Sequence, residues 1–444
     1  MRPRVPRCLC GAVLLLLAGT PATGQDRFRY ALPRGECWTY ERKLDISRDG
    51  AAVHSGRQTI RIWFLDTRTE DADAWIEIAP AGDERGILYA GPVTIDRSGR
   101  RRSPPEFADR LPELDAALEI LPGLAPALGP ADRWDSGSDA NGRALQQSLS
   151  DGTGEGDIRR VRYDVIDREG VDAFLGRRAS GEYIWDVAAG RVREVVERQR
   201  VAGLSLETEV RCRFLASAPL GEAWCGRRRQ EIVRYLAAVR AEAGWISRSG
   251  REALSPETLL SNLDRVWVEF LHVEPREEDS PVRRAAESRR RELRARAETL
   301  RERARQAAQW VGTHAAAWSL LAPDGTAVKS ESLGKGGLVE VFWSARSVSS
   351  LRSMATIRAA LAAATARDIA IVCINLDTDV NLARRAIDAC GGGLTHVLSG
   401  PPIGGDSPSD LPVIRFLDAD RRVVRVLFGR QVNLQAELSE AFGR

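Results

Sequence analysis

The residues best suited to chemistry in this chain are its thiols, and their spacing is wrong for the commonest thiol chemistry. Of seven cysteines, no two stand as Cys-x-x-Cys, the spacing in which one thiolate attacks a disulfide and the second thiol resolves it. Cys8 and Cys10 fall in an apolar N-terminal run, which leaves Cys37, Cys212, Cys225, Cys373 and Cys390. Cys373 lies in an apolar strand pattern and reads as a small buried hydrophobe. Cys390 precedes Gly391-Gly392-Gly393 at a predicted helix end, where an exposed thiol could serve as a peroxidatic or resolving group. The second candidate is the serine cluster Ser347-Val348-Ser349-Ser350, directly ahead of a predicted helix over 351–366. Serine there suits a helix N-cap. A hydroxyl nucleophile would need a base, and no His, Asp or Lys adjoins it in sequence. The four histidines, His54, His272, His314 and His396, lack ligand spacing, so neither a metal nor a cofactor is expected.

Three stretches of different pattern must position these residues. Over 25–220 apolar and polar residues alternate with period two, as at Ile60, Ile62 and Phe64, between Gly-, Asp- and Ser-rich turns. That pattern predicts an antiparallel sheet with one buried face. Within it, Pro104–Pro130 reads as a helix or packed excursion and Ser138–Asp157 as a mobile loop. Cys37 and Cys212 fall on the first and last predicted strands and could pair; Cys212 with Cys225 is the rival, and five cysteines leave at least one free. The Leu-Pro-rich stretch ending in Asp132-Arg133-Trp134, with Asp186 and Gly190-Arg191, resembles curved-sheet domains of bacterial envelope proteins, a likeness that implies no chemistry. Residues 221–310 form a helical connector: Ser255-Pro256-Glu257 is a helix start signal, and Pro281 opens another helix. Residues 227–310 hold 19 arginines and 14 acids. The interleaved Glu287, Glu292, Glu298 and Glu302 point to a solvated, salt-bridged helix face; an anionic partner along it is the alternative.

From 311 to 444 strands and helices alternate, as in α/β folds. Here the chain resembles the TlpA-like, or redoxin, branch of the thioredoxin superfamily. The matching pieces are Gly312–Leu320, Asp324-Gly325, Leu333-Gly334-Lys335, Leu338–Trp343, Ile369–Asp377, Leu411-Pro412 followed by Val413–Asp418, and Arg422–Gly429. The resemblance implies a thioredoxin-like fold with Pro412 as the cis proline. It also places Ser347 and Ser350 on the two cysteine positions of the family motif, Arg346 on its second tryptophan, and Val341 on the buried acid of thioredoxins proper. A serine hydroxyl forms no exchangeable bond to sulfur, so disulfide exchange is expected to be lost. Any binding role that persists would use Arg346, Ser347, Ser350, Leu411 and Pro412.

The N-terminus bears on compartment. Arg2, Arg4 and Arg7 precede an apolar run, Cys8–Ala18, too short to span a bilayer, and Ala22-Thr23-Gly24 offers a cleavage site. Residues 1–24 therefore read as a signal peptide, and a periplasmic or secreted protein without an integral membrane segment is expected. Its removal takes three arginines and no acids, so the formal charge falls from +3 to 0. This gives no case for nucleic acid or a membrane surface as a general partner. Only Lys43, Lys329 and Lys335 among 65 basic residues are lysine, a composition typical of GC-rich bacterial genomes. The expectation for the whole chain is a multidomain α+β protein, exported and noncatalytic, that binds or scaffolds an unidentified protein or peptide. An atypical thiol–disulfide oxidoreductase or peroxidase using Cys390 is the alternative.

Overall fold

The computed structural model describes residues 29–443 except 84–85, 98, 100, 103, 105–132, 139–143, 150–157, 167–176, 202–204, 274–279, 391, 400–410 and 430–433. The signal-peptide reading and the Pro104–Pro130 excursion thus fall almost wholly outside the described residues. The chain is mixed α+β, with one antiparallel sheet, a layer of helices, and a second, mixed sheet.

The first sheet has eleven strands: β1 (Glu36–Arg48), β2 (Ala51–Thr67), β3 (Asp71–Pro80), β4 (Tyr89–Asp96), β5 (Arg101–Arg102), β6 (Arg133–Ser138), β7 (Ala144–Leu149), β8 (Ile158–Ile166), β9 (Arg177–Asp186), β10 (Arg191–Val201) and β11 (Leu206–Pro219). Their order is β5-β4-β3-β2-β1-β11-β10-β9-β8-β7-β6. Nearly every neighbour is also the next strand in sequence, so short turns set most of the topology. The β1–β2 turn is Asp49-Gly50, with φ of 51° and 79°, the paired positive values a tight hairpin of matching twist requires. Gly190 closes the β9–β10 hairpin at φ 56°, and a Cβ there would strike the Ala31 backbone.

Two sequence expectations change here. The stretch Ser138–Asp157 is not wholly loop, because β7 lies inside it. Nor is the sheet buried on one face only. Trp38, Tyr40, Ile60, Ile62 and Phe64 pack on one side, while Cys37, Trp63, Leu65 and Trp75 pack on the other against helices. The second face is invisible to a period-two reading because an apolar residue at every position erases the alternation. It also removes the proposed Cys37–Cys212 staple. Cys212 lies opposite Arg42, and the two thiols belong to cores on opposite faces. Cys212 and Cys225 likewise sit in different cores, and none of the five described cysteines is joined in a disulfide.

The helical layer comprises Glu222–Glu252, Pro256–Val273, Pro281–Ala295 and Ala297–Trp310. Ser255 and Ser280 cap the second and third, their hydroxyls accepting from the Thr258 and Arg283 amides at 3.2 and 3.1 Å. The helix opened by Pro281 ends at Ala295, and the next starts at Ala297, because Arg296, with ψ of 9°, interrupts the ladder. Tyr235 joins layer to sheet, its ring 5.4 Å from Trp75 and 5.3 Å from Trp267. Beside it the buried Glu77 of β3 takes Arg61 of β2 and Arg284 of the Pro281 helix. Burial raises the Glu77 pKa, and the two guanidiniums oppose that rise.

The second sheet contains β12 (Ser319–Leu321), β13 (Ala327–Lys329), β14 (Gly337–Trp343), β15 (Ile369–Asn375), β16 (Thr395–Leu398), β17 (Val413–Leu417) and β18 (Val423–Phe428), in the order β13-β12-β16-β15-β14-β17-β18. β14, β15 and β16 run parallel; β17 is antiparallel to β14, and β18 to β17. The crossover helices are Val348–Ala359 with its short continuation Leu361–Thr365, and Val380–Cys390; Leu434–Ala441 lies near the C-terminus. This is the element order that the sequence resemblance implies. The edge strand β18 is covered by the Glu222–Glu252 helix and by Ala297–Trp310, which protects its unpaired backbone groups. Arg425 of β18, fully buried, donates to Ser247 at 2.6 Å and pairs with Glu437 and Glu440. Among the described residues no helix is long and apolar enough to cross a membrane.

Candidate functional site

The parallel strands β14 and β15 end side by side, Trp343 opposite Asn375, and the candidate site is built on their carboxyl ends. In an open α/β sheet this is where loops meet to form a crevice. The chain leaves β14 through Ser344, Ala345 and Arg346, and enters the helix at Ser347. Ser347 is the N-cap, at φ −97° and ψ 109°. Its hydroxyl accepts from the Ser350 amide at 3.2 Å and donates to the Leu411 carbonyl at 3.2 Å. The Leu411–Pro412 bond is cis, as the resemblance implies.

What holds this turn is a carboxylate to which sequence reading gave no role. Asp377, nearly buried, accepts from the Ser344 hydroxyl at 2.5 Å, the Ala345 amide at 2.6 Å and the Asn375 side chain at 2.9 Å. Ser344 in turn accepts from the Arg346 amide at 3.1 Å. The turn is therefore tied at two points, Asp377 on one side and the Leu411 carbonyl on the other. The sequence signal was Asn375-x-Asp377 just after an apolar strand, with Ser344 just after the other. Asp377→Ala should strand a buried amide and two side-chain donors, at a cost of about 2 kcal/mol. Hydrogen exchange at Ala345 and Arg346 would read it; unchanged protection there would contradict the anchoring role.

The predicted site residues do not all reach one surface. Arg346 is exposed, and Ser347 and Leu411 are half-buried, so these three share the rim of the turn. Ser350 is fully buried, and its hydroxyl lies 3.5 Å from the Ser344 amide beneath the turn. Pro412 is buried too. Neither can contact a partner from outside without movement of the turn, which corrects the five-residue surface expected from sequence. Val341 is buried in an apolar core, so no acid stands behind the turn at that position.

The thiols are no better placed for exchange. Cys390 is buried rather than exposed at its helix end, and burial raises its pKa to about 11, with Arg358 opposing the rise. Cys373, in the same core, is pushed higher still by complete burial, with Cys390 adding to the shift. At neutral pH such thiols are protonated and weakly nucleophilic. Burial likewise raises Cys37 to about 11 and shifts Cys225 upward. Among the described residues no group of three or more His, Cys, Asp or Glu is placed to hold a metal. Nor does a base meet the Ser347 hydroxyl among them: its hydrogen-bond partners are the Leu411 carbonyl and the Ser350 amide. His396 lies on β16, its ring edge-on to Trp343 at 5.7 Å, and neither ring nitrogen has a partner among the described residues.

No family model matches the sequence, and no curated protein matches it. Solved structures do. A thiol:disulfide interchange protein of the thioredoxin family from Chlorobium tepidum TLS is 17% identical, over 30% of this chain and 97% of its own, with a TM-score of 0.27. A thiol-disulfide oxidoreductase from Bacteroides fragilis is 17% identical over 29% of this chain and 98% of its own, with a TM-score of 0.26. A secreted Mycobacterium tuberculosis disulfide oxidoreductase homologous to E. coli DsbE is 17% identical over 28% of this chain and 93% of its own, with a TM-score of 0.24.

Proposed function

We propose that this is an exported binding or scaffold protein whose C-terminal region is a thioredoxin-like module without disulfide exchange. The observation that carries this reading is the state of Ser347. Its hydroxyl is used as a helix cap and as a tie to the Leu411 carbonyl. Where exchange chemistry needs a free thiolate, the turn has a structural hydroxyl. The buried state of Cys373 and Cys390 supports the same reading, because neither thiol is ready to replace the missing pair. The rim formed by Arg346, Ser347 and Leu411 is then the surface for an extended protein or peptide partner. The apolar run and small residues of 1–24 support export to the periplasm or beyond.

The purified mature protein should not reduce insulin above background. Turnover abolished by Cys390→Ser would instead establish the redoxin alternative. Turnover that survives this change but disappears in Ser347→Ala would indicate hydroxyl chemistry.

The site should also accept the lost sulfurs. Ser347→Cys with Ser350→Cys places thiols at the N-cap and three residues on, at a helix end whose dipole stabilises a thiolate. A disulfide is expected, measured as two fewer alkylatable thiols after mild oxidation. Loss of the Ser347 cap costs about 1 kcal/mol, which the rest of the turn tolerates. A folded double variant whose new thiols stay reduced would show that these serines do not occupy the exchange positions.

A further inference from the structure

The arginines of the Pro281–Ala295 helix fall into two groups. Arg283 pairs with Glu287 at 3.1 Å, Arg284 takes Glu77, and Arg289 takes Glu242 and Glu292. Only the Glu287 and Glu292 pairs are the salt bridges along the helix expected from sequence; Glu77 and Glu242 are buried acids of other elements. The second group, Arg290, Arg291 and Arg294, lines a cleft of about 190 Å3 with Leu271 and Glu287. Three guanidiniums thus meet one carboxylate in the lining, and that carboxylate, Glu287, is already held by Arg283. Arg290 donates to both oxygens of one further acid, Asp264, at 2.7 and 2.9 Å, and Arg294 shares the first at 3.3 Å.

We propose that this cleft binds a phosphoryl group, carried by a small phosphate ester or by a lipid headgroup. Arg290 and Arg294 together present more N–H donors than the two oxygens of Asp264 can accept, whereas a phosphate dianion offers more oxygens. Arg291 lines the same cleft. Leu271 supplies an apolar wall for the first carbons beyond the ester oxygen. The volume lies below the roughly 300 Å3 at which drug-sized pockets begin, and suits a group the size of a phosphate. The cleft is lined by residues of the helical connector, and the serine turn belongs to the second sheet.

The test uses the full mature chain with inorganic phosphate, glycerol phosphate, and phosphatidylcholine vesicles with and without phosphatidylglycerol. Ionic strength is held constant with chloride. Calorimetric titration should show both soluble phosphates binding, and Arg291→Gln with Arg294→Gln should weaken them about a hundredfold, roughly tenfold for each lost charge-assisted contact. Co-sedimentation that requires phosphatidylglycerol and is lost in the variant assigns a lipid headgroup; soluble binding without co-sedimentation assigns a free ester. Should the double variant misfold, Arg294→Gln alone keeps the test open, since that side chain is 63% exposed and its loss should weaken binding in the same direction. Absence of binding to every probe, or equal binding by wild type and variants, would overturn the proposal.

Discussion

Gly250→Val is expected to separate the connector from the second sheet and to cost about 3 kcal/mol, the upper range for overpacking a well-filled contact. Gly250 is buried in the Glu222–Glu252 helix, and a Cβ there would fall on the Val426 carbonyl oxygen. Backbone cannot yield as a flexible side chain does, so the helix must move off β18. That displacement would break the bond from Arg425 to Ser247 and the 3.2 Å pair of Arg251 with Glu440. The carboxylates of the last helix would then remain as the partners of Arg425. Gly244, exposed in the same helix, has open space where a Cβ would stand. Gly244→Ala should therefore stabilise by about 0.5–1 kcal/mol, the ordinary helix preference for alanine. Urea unfolding with hydrogen exchange at β18 reads both. Equal effects of the two substitutions would show that the Gly250 contact does not hold the regions together.

The second large effect is on acid stability. Burial lowers the pKa of His396 from 6.5 to about 4. Above pH 6.5 the imidazole is neutral in both folded and unfolded chains and contributes no pH dependence. Between pH 6.5 and 4 the unfolded chain takes up a proton that the folded chain does not, so stability falls with pH. The loss approaches about 3 kcal/mol near pH 4, at roughly 1.4 kcal/mol for each pH unit separating the folded and unfolded pKa values. Glu77 and Glu437 work in the opposite sense, because burial raises their pKa values and acid relieves their charge. The comparison that isolates the histidine is therefore wild type against His396→Leu. At pH 7 the variant should be as stable or more so, since it removes two buried nitrogens without partners among the described residues. From pH 6.5 to 4 the wild type should lose about 3 kcal/mol more than the variant. Parallel pH profiles would show that His396 is hydrated or otherwise partnered in solution.

Both effects turn on neighbours far away in sequence, and that marks the boundary of what the chain discloses locally. Period-two alternation at Ile60, Ile62 and Phe64 marked strand β2, because turns and strands depend on residues a few positions apart. Helix starts at Pro256 and Pro281 were legible for the same reason. The order of pieces from Gly312 to Gly429 likewise fixed which strands flank the serine turn, and the absence of Cys-x-x-Cys needed no structure at all.

Burial, by contrast, was decided by tertiary packing. Cys390, beside three glycines, looks exposed in sequence but lies in an apolar core shared with β14 and β15. Ser347 and Ser350 look equivalent, yet one faces the rim and the other is sealed under the turn. Asp377 stands 33 residues from Ser344 and becomes its anchor only because β14 and β15 end together. Between 227 and 310 the nineteen arginines exceed the fourteen acids by five, an excess that by itself names no site. Only packing gathers Arg290, Arg291 and Arg294 around one cleft, because pairing depends on distances between helices while a charge count ignores them.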